Sequence, residues 1–149
     1  MVSRVIPVQP FDLVLFGATG DLARRKILPS LFHRFQIGQF SDDTRIIGSS
    51  RADLDRPKFQ ELTAAAIREF GQPGETNEAD IAAFIKLLDY VAVDARGDGG
   101  WADLGQHLRA DVTRAFYLSV APSLFTDIAD RLSASGMVTA ESRIVLEKP

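Results

Sequence analysis

Short apolar segments alternate along the chain with longer segments in which apolar residues recur every three or four positions. The short segments are rich in valine, isoleucine and phenylalanine, which is typical of buried strands, whereas the longer spacing is typical of amphipathic helices. The pattern predicts strands over residues 12–16, 45–49, 89–93, 114–120 and 143–147. It predicts helices that begin near residue 21 and that cover residues 57–70, 78–88, 101–111 and 123–135.

This alternation predicts an α/β fold, a Rossmann-like, doubly wound and mainly parallel sheet with helices on both faces. The first strand is expected to be apolar on both faces, as a central parallel strand should be. In open sheets of this kind, ligands bind beyond the carboxyl ends of the strands. The residues expected near a ligand therefore follow the strands directly, at 17–26, 49–51, 93–94, 119–122 and 147–149.

The first strand ends in a tight glycine turn that opens a helix. Glycine lets the backbone bend sharply, and the free amides at the start of a helix favour a bound phosphate. We therefore expect the amides of this turn to bind the diphosphate of a dinucleotide. A Gly-x-x-Gly sequence is one glycine short of the usual fingerprint and also fits an ordinary strand-to-helix turn. The candidate residues are Gly17, Ala18, Thr19, Gly20, Asp21 and Leu22.

Pro29 lies inside the first helical segment. It is expected to kink or divide that helix, because it has no N–H to donate to the carbonyl of Arg25 and its ring crowds that carbonyl. Gly38 is the expected end of the helix. Apolar residues with helical spacing are expected to face the sheet: Leu28, Leu31, Phe32 and Phe35.

Arg51 directly follows the second predicted strand, where dinucleotide folds bind the adenosine ribose. An arginine there accommodates the 2′-phosphate of NADP, whereas an acidic residue would bind the 2′-hydroxyl of NAD. Asp53 comes two residues later, so the sequence favours NADP over NAD. The alternative for Arg51 is a solvated surface arginine.

Composition mainly excludes other classes. The chain has 149 residues, enough for one domain with a sizeable core, and a net charge of −3, which argues against a general nucleic-acid binder. We find no apolar run long enough for a membrane span and no signal peptide, and cysteine is absent, which excludes a disulfide frame and a cysteine metal site. These features fit a cytoplasmic protein, and no metal site is expected.

Other chemistry-bearing residues give weaker signals. His33 and His107 fall in predicted helices rather than after strands, so structural or surface roles are expected for both. No Tyr-x-x-x-Lys sequence occurs, which counts against a short-chain reductase, and no Gly-Lys-Ser or Gly-Lys-Thr follows the glycine turn.

Residues 17–32 strongly resemble the opening motif of the glucose-6-phosphate dehydrogenase family, in which a glycine turn is followed by Asp-Leu, a basic run and a proline. Three further stretches resemble the same family in the same order. Residues 47–51 resemble its coenzyme-selecting segment, residues 114–122 its fourth-strand segment, and residues 143–149 its Glu-Lys-Pro motif.

The resemblance implies an NADP-dependent oxidoreductase of glucose metabolism. The reaction would oxidise the CH–OH group at C1 of D-glucose 6-phosphate to 6-phospho-glucono-1,5-lactone, at the entry to the pentose phosphate pathway. Lys148 would reach the sugar, in addition to the coenzyme. Tyr117 and residues 119–122 would lie near the nicotinamide. Pro149 matches a proline that is cis in the family. The family's coenzyme-binding positions match Thr19, Lys26, Arg51, Ala121, Pro122 and Lys148.

Two departures from the family pattern matter. Ala121-Pro122 replaces two prolines that are common in the family, so this loop is expected to bend differently. The Arg-x-Asp-His motif, whose histidine removes the sugar hydroxyl proton, does not occur. We therefore expect residues 1–149 to form an NADP-binding domain without the C-terminal catalytic domain, with no catalytic residue of its own and no activity alone.

The resemblance also suggests partners and leaves alternatives. It implies glucose 6-phosphate as the substrate of the full-length enzyme, a homo-oligomer built chiefly through the other domain, and neither a nucleic-acid nor a membrane partner. A sugar dehydrogenase of the glucose–fructose oxidoreductase type is one alternative, because that family also has a Glu-Lys-Pro after its fifth strand. A non-catalytic NADP-sensing module is another.

Overall fold

The computed structural model describes residues 9–146. Five strands form one sheet in the order β3-β2-β1-β4-β5, and all neighbouring strands are parallel. The strand order reverses beside β1, because the chain leaves β3 at one edge and returns as β4 on the other side of β1. This confirms the predicted α/β, doubly wound architecture. The strands are β1 Phe11–Phe16, β2 Arg45–Ser50, β3 Leu88–Ala92, β4 Thr113–Leu118 and β5 Arg143–Leu146.

Helices cover both faces of this sheet. Among the described residues, none of them is long and apolar enough to cross a membrane. A π-helical turn, Ala23–Ile27, precedes α1, and a 3₁₀ turn, Pro122–Leu124, precedes α5. The α-helices are α1 Leu28–Gln36, α2 Arg56–Phe70, α3 Glu78–Ile85, α4 Trp101–His107 and α5 Phe125–Ala134.

The sheet separates two hydrophobic clusters, because successive side chains of a strand point to opposite faces. Leu15 of β1 packs with Phe32, Phe59 and Phe84 under α1, α2 and α3. Phe16 of β1 packs on the other face with residues of α4 and α5, including Trp101, Leu104, Ile128 and Leu132. Burial on both faces fixes β1 at the centre of the fold.

Pro29 divides the first helix, as predicted. The helix begins at Asp21, and within its π-helical turn the N–H of Leu28 donates to the carbonyl of Ala23, five residues earlier. Pro29 then lies in the first turn of α1, where a missing N–H costs little. The helix ends as expected before Gly38, whose φ is +77°. The apolar face is also confirmed, with two buried residues, Leu28 and Phe32, and two partly buried ones, Leu31 and Phe35.

Asp12 corrects the expectation that β1 is apolar on both faces. Its carboxylate is fully buried and accepts hydrogen bonds from the Arg109 side chain (Nη2, 2.7 Å; Nε, 2.9 Å) and from the Arg109 amide (2.7 Å). Arg109 therefore compensates the charge of this buried carboxylate. The helix predicted to reach residue 111 ends at His107 for the same reason, because Leu108 is extended and the Arg109 amide bonds to Asp12.

Other boundaries also differ from the prediction, and two of them have a clear cause or consequence. The helix predicted to reach residue 88 ends at Ile85, because the carbonyl of Leu87 accepts a hydrogen bond from Ile46 and draws the chain into the sheet. The fourth strand ends at Leu118 rather than residue 120, and the loop that follows begins with Ser119. Both changes leave the predicted order of elements intact.

Candidate functional site

The glycine turn after β1 lies at the carboxyl edge of the sheet, where the strand order reverses. Gly17 has a φ of +82°, a conformation that disfavours any side chain, and a Cβ there would overlap the carbonyl oxygen of Ser119. The amide of Ser119 in turn donates to the carbonyl of Phe16 at 3.0 Å. The turn and the loop after β4 are therefore in direct contact, and only glycine fits between them.

Hydrogen bonds divide the amides of this turn into two groups. Gly17 and Ala18 both donate to the carbonyl of Ser49, at 2.8 and 3.1 Å, and Gly20 donates to Gly17 at 3.0 Å. These three amides are therefore already bonded, to the end of β2 and to the turn itself, and the predicted contact with a diphosphate is left to the other amides of residues 17–22. No described residue accepts a hydrogen bond from the amides of Thr19, Asp21 and Leu22.

The free amides lie where an anion is favoured. The first helical hydrogen bond joins the Arg24 amide to the Gly20 carbonyl at 3.1 Å, so the amides of residues 21 and 22 belong to the open first turn of the helix. The positive end of the helix dipole adds to their attraction for a negative group. A Cβ at Gly20 would stand 3.2 Å from the Gly17 carbonyl oxygen, so a side chain there would crowd the turn.

Arg51 follows β2 at the same edge. Its side chain is exposed and makes no hydrogen bond or ion pair with the residues that the structure describes. It lines a cleft of about 330 Å³ between the ends of β2 and β3, together with Ala92, Val93, Asp94, Gly99 and Gly100. The structure thus brings Arg51 and the glycine turn to the same edge of the sheet.

A set of hydroxyl groups, which sequence reasoning missed, joins the turn to the loop after β2. The hydroxyl of Thr19 donates to Ser50 Oγ at 3.1 Å, and Ser50 Oγ lies 2.6 Å from the phenol oxygen of Tyr90. The phenol donates to the carbonyl of Ala52 at 2.7 Å. Burial raises the pKa of Tyr90, the hydrogen bonds with Ser50 oppose that rise and the charge of Asp53 adds to it, so the phenol stays protonated at neutral pH.

Asp21, whose amide is one of the free ones, carries an exposed charge. Its carboxylate accepts a hydrogen bond from Arg25 Nε at 2.7 Å and lies 3.6 Å from Arg24 Nη2. Both guanidinium groups also lie over the ring of Phe70, at 5.3 Å for Arg24 and 4.9 Å for Arg25. The hydrogen bond from Arg25 holds the pKa of Asp21 below its usual range. Asp21 is therefore a paired carboxylate, and its charge is partly offset next to the anion-favouring turn.

Lys26 lies away from the cleft of Arg51. It is exposed and lines a second cleft, of about 270 Å³, whose other residues include His33, Phe70 and Glu75. The structure therefore does not bring Lys26 together with Arg51, and a contact between Lys26 and the coenzyme stays a prediction. The two histidines lie in helices, as expected, and His107 Nε2 is 3.4 Å from Asp89 Oδ2 at the opposite edge of the sheet.

The remaining candidates follow β4 and β5. Ala121 and Pro122 are exposed and begin the 3₁₀ turn, in which the Leu124 amide donates to the Ala121 carbonyl at 2.9 Å. This loop starts at Ser119 and so continues directly from the contact with Gly17. Lys148 and Pro149 lie outside the described residues. Within residues 9–146, no group of three or more histidine, aspartate or glutamate side chains could hold a metal ion.

Comparisons with known proteins point to one family. A family model described as "Glucose-6-phosphate dehydrogenase, NAD binding domain" matches residues 14–149. The glucose-6-phosphate 1-dehydrogenase of Rhizobium meliloti (strain 1021) is 48% identical over 151 residues, a match that covers 100% of this chain and 31% of that protein. The enzyme of the same name from Leuconostoc mesenteroides is 33% identical over 158 residues, covering 100% of this chain and 31% of that protein.

Solved structures agree with the sequence comparisons. A glucose-6-phosphate dehydrogenase in complex with its substrate glucose-6-phosphate superposes with a TM-score of 0.83 and 26% identity, over 100% of this chain and 32% of that chain. The glucose-6-phosphate 1-dehydrogenase of Mycobacterium avium gives a TM-score of 0.84 and 26% identity, over 94% of this chain and 30% of that chain.

These matches confirm the resemblance inferred from the motifs and do not support the glucose–fructose oxidoreductase alternative. The chain spans about a third of the length of the relatives that it matches. The matched family model describes a domain that binds a nicotinamide dinucleotide, which agrees with the turn and cleft at the carboxyl edge. The chain belongs to the family of NAD-binding domains of glucose-6-phosphate dehydrogenases.

Proposed function

We propose that residues 1–149 are the coenzyme-binding domain of a glucose-6-phosphate 1-dehydrogenase and that this domain binds NADP in preference to NAD. The names of the relatives support the reaction, in which glucose 6-phosphate is oxidised and the coenzyme is reduced. The position and unpaired charge of Arg51 carry the preference for NADP.

Arg51 fits the 2′-phosphate that distinguishes NADP from NAD. Its guanidinium is exposed at the end of β2, and no described side chain neutralises it. Charge-assisted hydrogen bonds from a guanidinium to a phosphate are worth roughly 1.5–3 kcal/mol. Asp94 lines the same cleft, but it does not pair with Arg51. Its carboxylate instead accepts a hydrogen bond from the Arg96 amide at 3.1 Å, within its own loop.

The diphosphate fits the free amides of the glycine turn. Thr19, Asp21 and Leu22 supply N–H groups at the start of a helix, and neither Gly17 nor Gly20 carries a side chain that would occupy the approach. Gly17 and Ala18 act differently, because their amides fix the turn to the carbonyl of Ser49. In this proposal, the anchored amides position the turn and the free amides bind the ligand.

When bound, the coenzyme supplies the nicotinamide ring that accepts a hydride from C1 of the sugar. The chain's own residues bind and orient it. Ala121 and Pro122 follow β4, next to the turn, and are the candidates for the nicotinamide end. Lys26 and Lys148 remain candidates for coenzyme contacts, Lys148 also for the sugar. The partners of the whole enzyme would be glucose 6-phosphate and further copies of itself, in the cytoplasm.

Calorimetric titration with NADP and with NAD tests the coenzyme preference. Arg51→Ala is expected to weaken NADP binding roughly tenfold to a hundredfold, because the 2′-phosphate loses its charge-assisted partner, and to leave NAD binding nearly unchanged. Arg34→Ala is the matched control, since Arg34 is also an exposed arginine but lies on α1 and bonds to Gln39. Equal losses for both coenzymes in Arg51→Ala would contradict the preference for NADP.

A chimaera tests the reaction. The isolated chain is expected to bind NADP without oxidising glucose 6-phosphate, because it lacks the Arg-x-Asp-His motif. The same chain, substituted for the matching 31% of the Rhizobium meliloti relative, is expected to restore oxidation of glucose 6-phosphate, followed by the absorbance of the reduced nicotinamide. A folded chimaera that binds NADP but leaves glucose 6-phosphate unchanged would overturn the proposed reaction.

A further inference from the structure

The loop that carries Arg51 is held on both sides of that residue by one buried phenol. Tyr90 is 6% exposed, and its oxygen lies 2.6 Å from Ser50 Oγ, just before Arg51. The same oxygen lies 2.7 Å from the carbonyl oxygen of Ala52, just after Arg51. A third contact, of 3.3 Å, reaches the carbonyl oxygen of Ser50. Arg51 itself makes no hydrogen bond or ion pair with any residue of the described range 9–146, so its backbone position depends on its two neighbours.

One assignment of hydrogens satisfies the two shorter contacts, and the carbonyl of Ser50 accepts instead from the Val93 amide at 2.9 Å. The phenol donates to the Ala52 carbonyl, because that oxygen can only accept. Ser50 then donates to the phenol oxygen, and its own oxygen accepts from the Thr19 hydroxyl at 3.1 Å and from the Ala52 amide at 3.2 Å. The resulting chain of hydrogen bonds runs from the glycine turn through Ser50 and Tyr90 to the backbone beside Arg51.

Packing fixes the ring of Tyr90 independently of its hydroxyl. Gly48 lies opposite Tyr90 in the register of β2 and β3, and a Cβ at Gly48 would overlap the ring of Phe59. The missing side chain lets the rings of Phe59 and Tyr90 approach to 5.3 Å between centroids. Removal of the hydroxyl alone should therefore leave the ring in place.

We infer that Tyr90 is a positioning residue for coenzyme selectivity, whose hydroxyl holds residues 50–52 so that the Arg51 guanidinium meets the 2′-phosphate of NADP. This inference rests on the proposed preference for NADP. Tyr90 has no contact with the coenzyme in this account, and it acts through the backbone on either side of Arg51. The carbonyl of Ser49, one residue before Ser50, anchors the glycine turn. The same short segment therefore positions both the turn proposed for the diphosphate and the arginine proposed for the 2′-phosphate.

Tyr90→Phe tests the inference by calorimetric titration. The Kd for NADP is expected to rise roughly three- to tenfold, and the Kd for NAD to stay within about twofold, because NAD lacks the group that Arg51 binds. In an Arg51→Ala background, Tyr90→Phe is expected to cause no further loss of NADP affinity. Hydrogen exchange of the amides of residues 51–53 is expected to be faster in Tyr90→Phe, even without coenzyme. Ser50→Ala should change selectivity in the same direction.

Thr44→Val is the control, since Thr44 has a buried hydroxyl at the other end of β2 for which no described residue is a partner. If Arg51→Ala lowers NADP affinity but Tyr90→Phe lowers both affinities equally, or neither, this inference fails and the proposed function stands. If the wild-type chain binds both coenzymes equally and Arg51→Ala changes neither affinity, the proposed preference for NADP fails, and the inference fails with it.

Discussion

The strands on the two sides of the central strand β1 differ in how much of their surface is covered. Four of the six residues of β2, Ile46 to Ser49, are buried, whereas all four residues of β5 are exposed. The exposed fractions of the apolar residues of β5 are 43% for Ile144, 41% for Val145 and 52% for Leu146. The glycine turn and Arg51 follow the covered strands β1 and β2. The geometry of the glycine turn and of Arg51 therefore does not depend on how β5 is covered.

This difference follows from the neighbours of each strand. β1 pairs with β2 and β4, and its two faces pack against different sets of helices. Among residues 9–146, β5 pairs with β4 alone. Apolar side chains on β5 thus contribute little burial, whereas those of the covered strands carry the stability of the domain.

The largest expected effect comes from truncating the same residue type on the two sides. Ile47→Ala is expected to lower the free energy of unfolding by about 2–5 kcal/mol, because Ile47 is 1% exposed and its loss leaves a cavity. Ile144→Ala is expected to cost less than about 1 kcal/mol, because Ile144 is already 43% exposed and its truncation removes less buried surface. Urea unfolding followed by the fluorescence of Trp101, the one tryptophan, measures both. Equal losses would mean that β5 is covered as well as β2.

A smaller effect separates two glycines with the same backbone conformation. Gly17 and Gly74 have φ values of +82° and +83°, so alanine at either position carries strain of about 1–2 kcal/mol. Gly17→Ala is expected to cost about 1–3 kcal/mol more, because its Cβ would overlap the Ser119 carbonyl, whereas Gly74 has open space around it. Urea unfolding gives both values. Gly17→Ala should also weaken NADP and NAD binding together, in contrast to Arg51→Ala.

The smallest expected effect concerns Asp21, an exposed residue at the start of the helix that follows the covered strand β1. Because the hydrogen bond from Arg25 lowers the pKa of Asp21 in the folded chain, its contribution to stability is present above the unfolded pKa of about 3.9 and is lost as the pH falls through the folded pKa. Thermal unfolding of Asp21→Asn is therefore expected to differ slightly from the wild type at neutral pH and to converge with it in acid. Asp42→Asn, another exposed aspartate, is the control; an equal shift in both variants would argue against the Arg25 pair.

Local sequence pattern was sufficient to predict the order of the elements and the place of the site. One short stretch encodes the strand that ends at Phe16, the glycine turn and the helix after it. A second short stretch encodes β2 and the position of Arg51 directly after it. The division of the first helix followed from Pro29 by the same local logic. These predictions needed no knowledge of distant contacts.

Features that depend on distant contacts were missed. Asp12 and Arg109 are 97 residues apart, so the early end of α4 has no local signal. Tyr90 reads as one more aromatic residue of a buried strand, and the partners of its hydroxyl lie about 40 residues earlier. Lys26 lies in the π-helical turn, where side chains do not follow α-helical spacing, so sequence pattern alone does not fix which way it faces.

The carbonyl of Ser49 has a consequence for how relatives of this domain can diverge. It accepts hydrogen bonds from the amides of Gly17 and Ala18, and all three groups belong to the main chain. Such an anchor survives replacement of the side chain at position 49. Residues 51–53 can therefore change among relatives while the glycine turn that these amides anchor keeps its place.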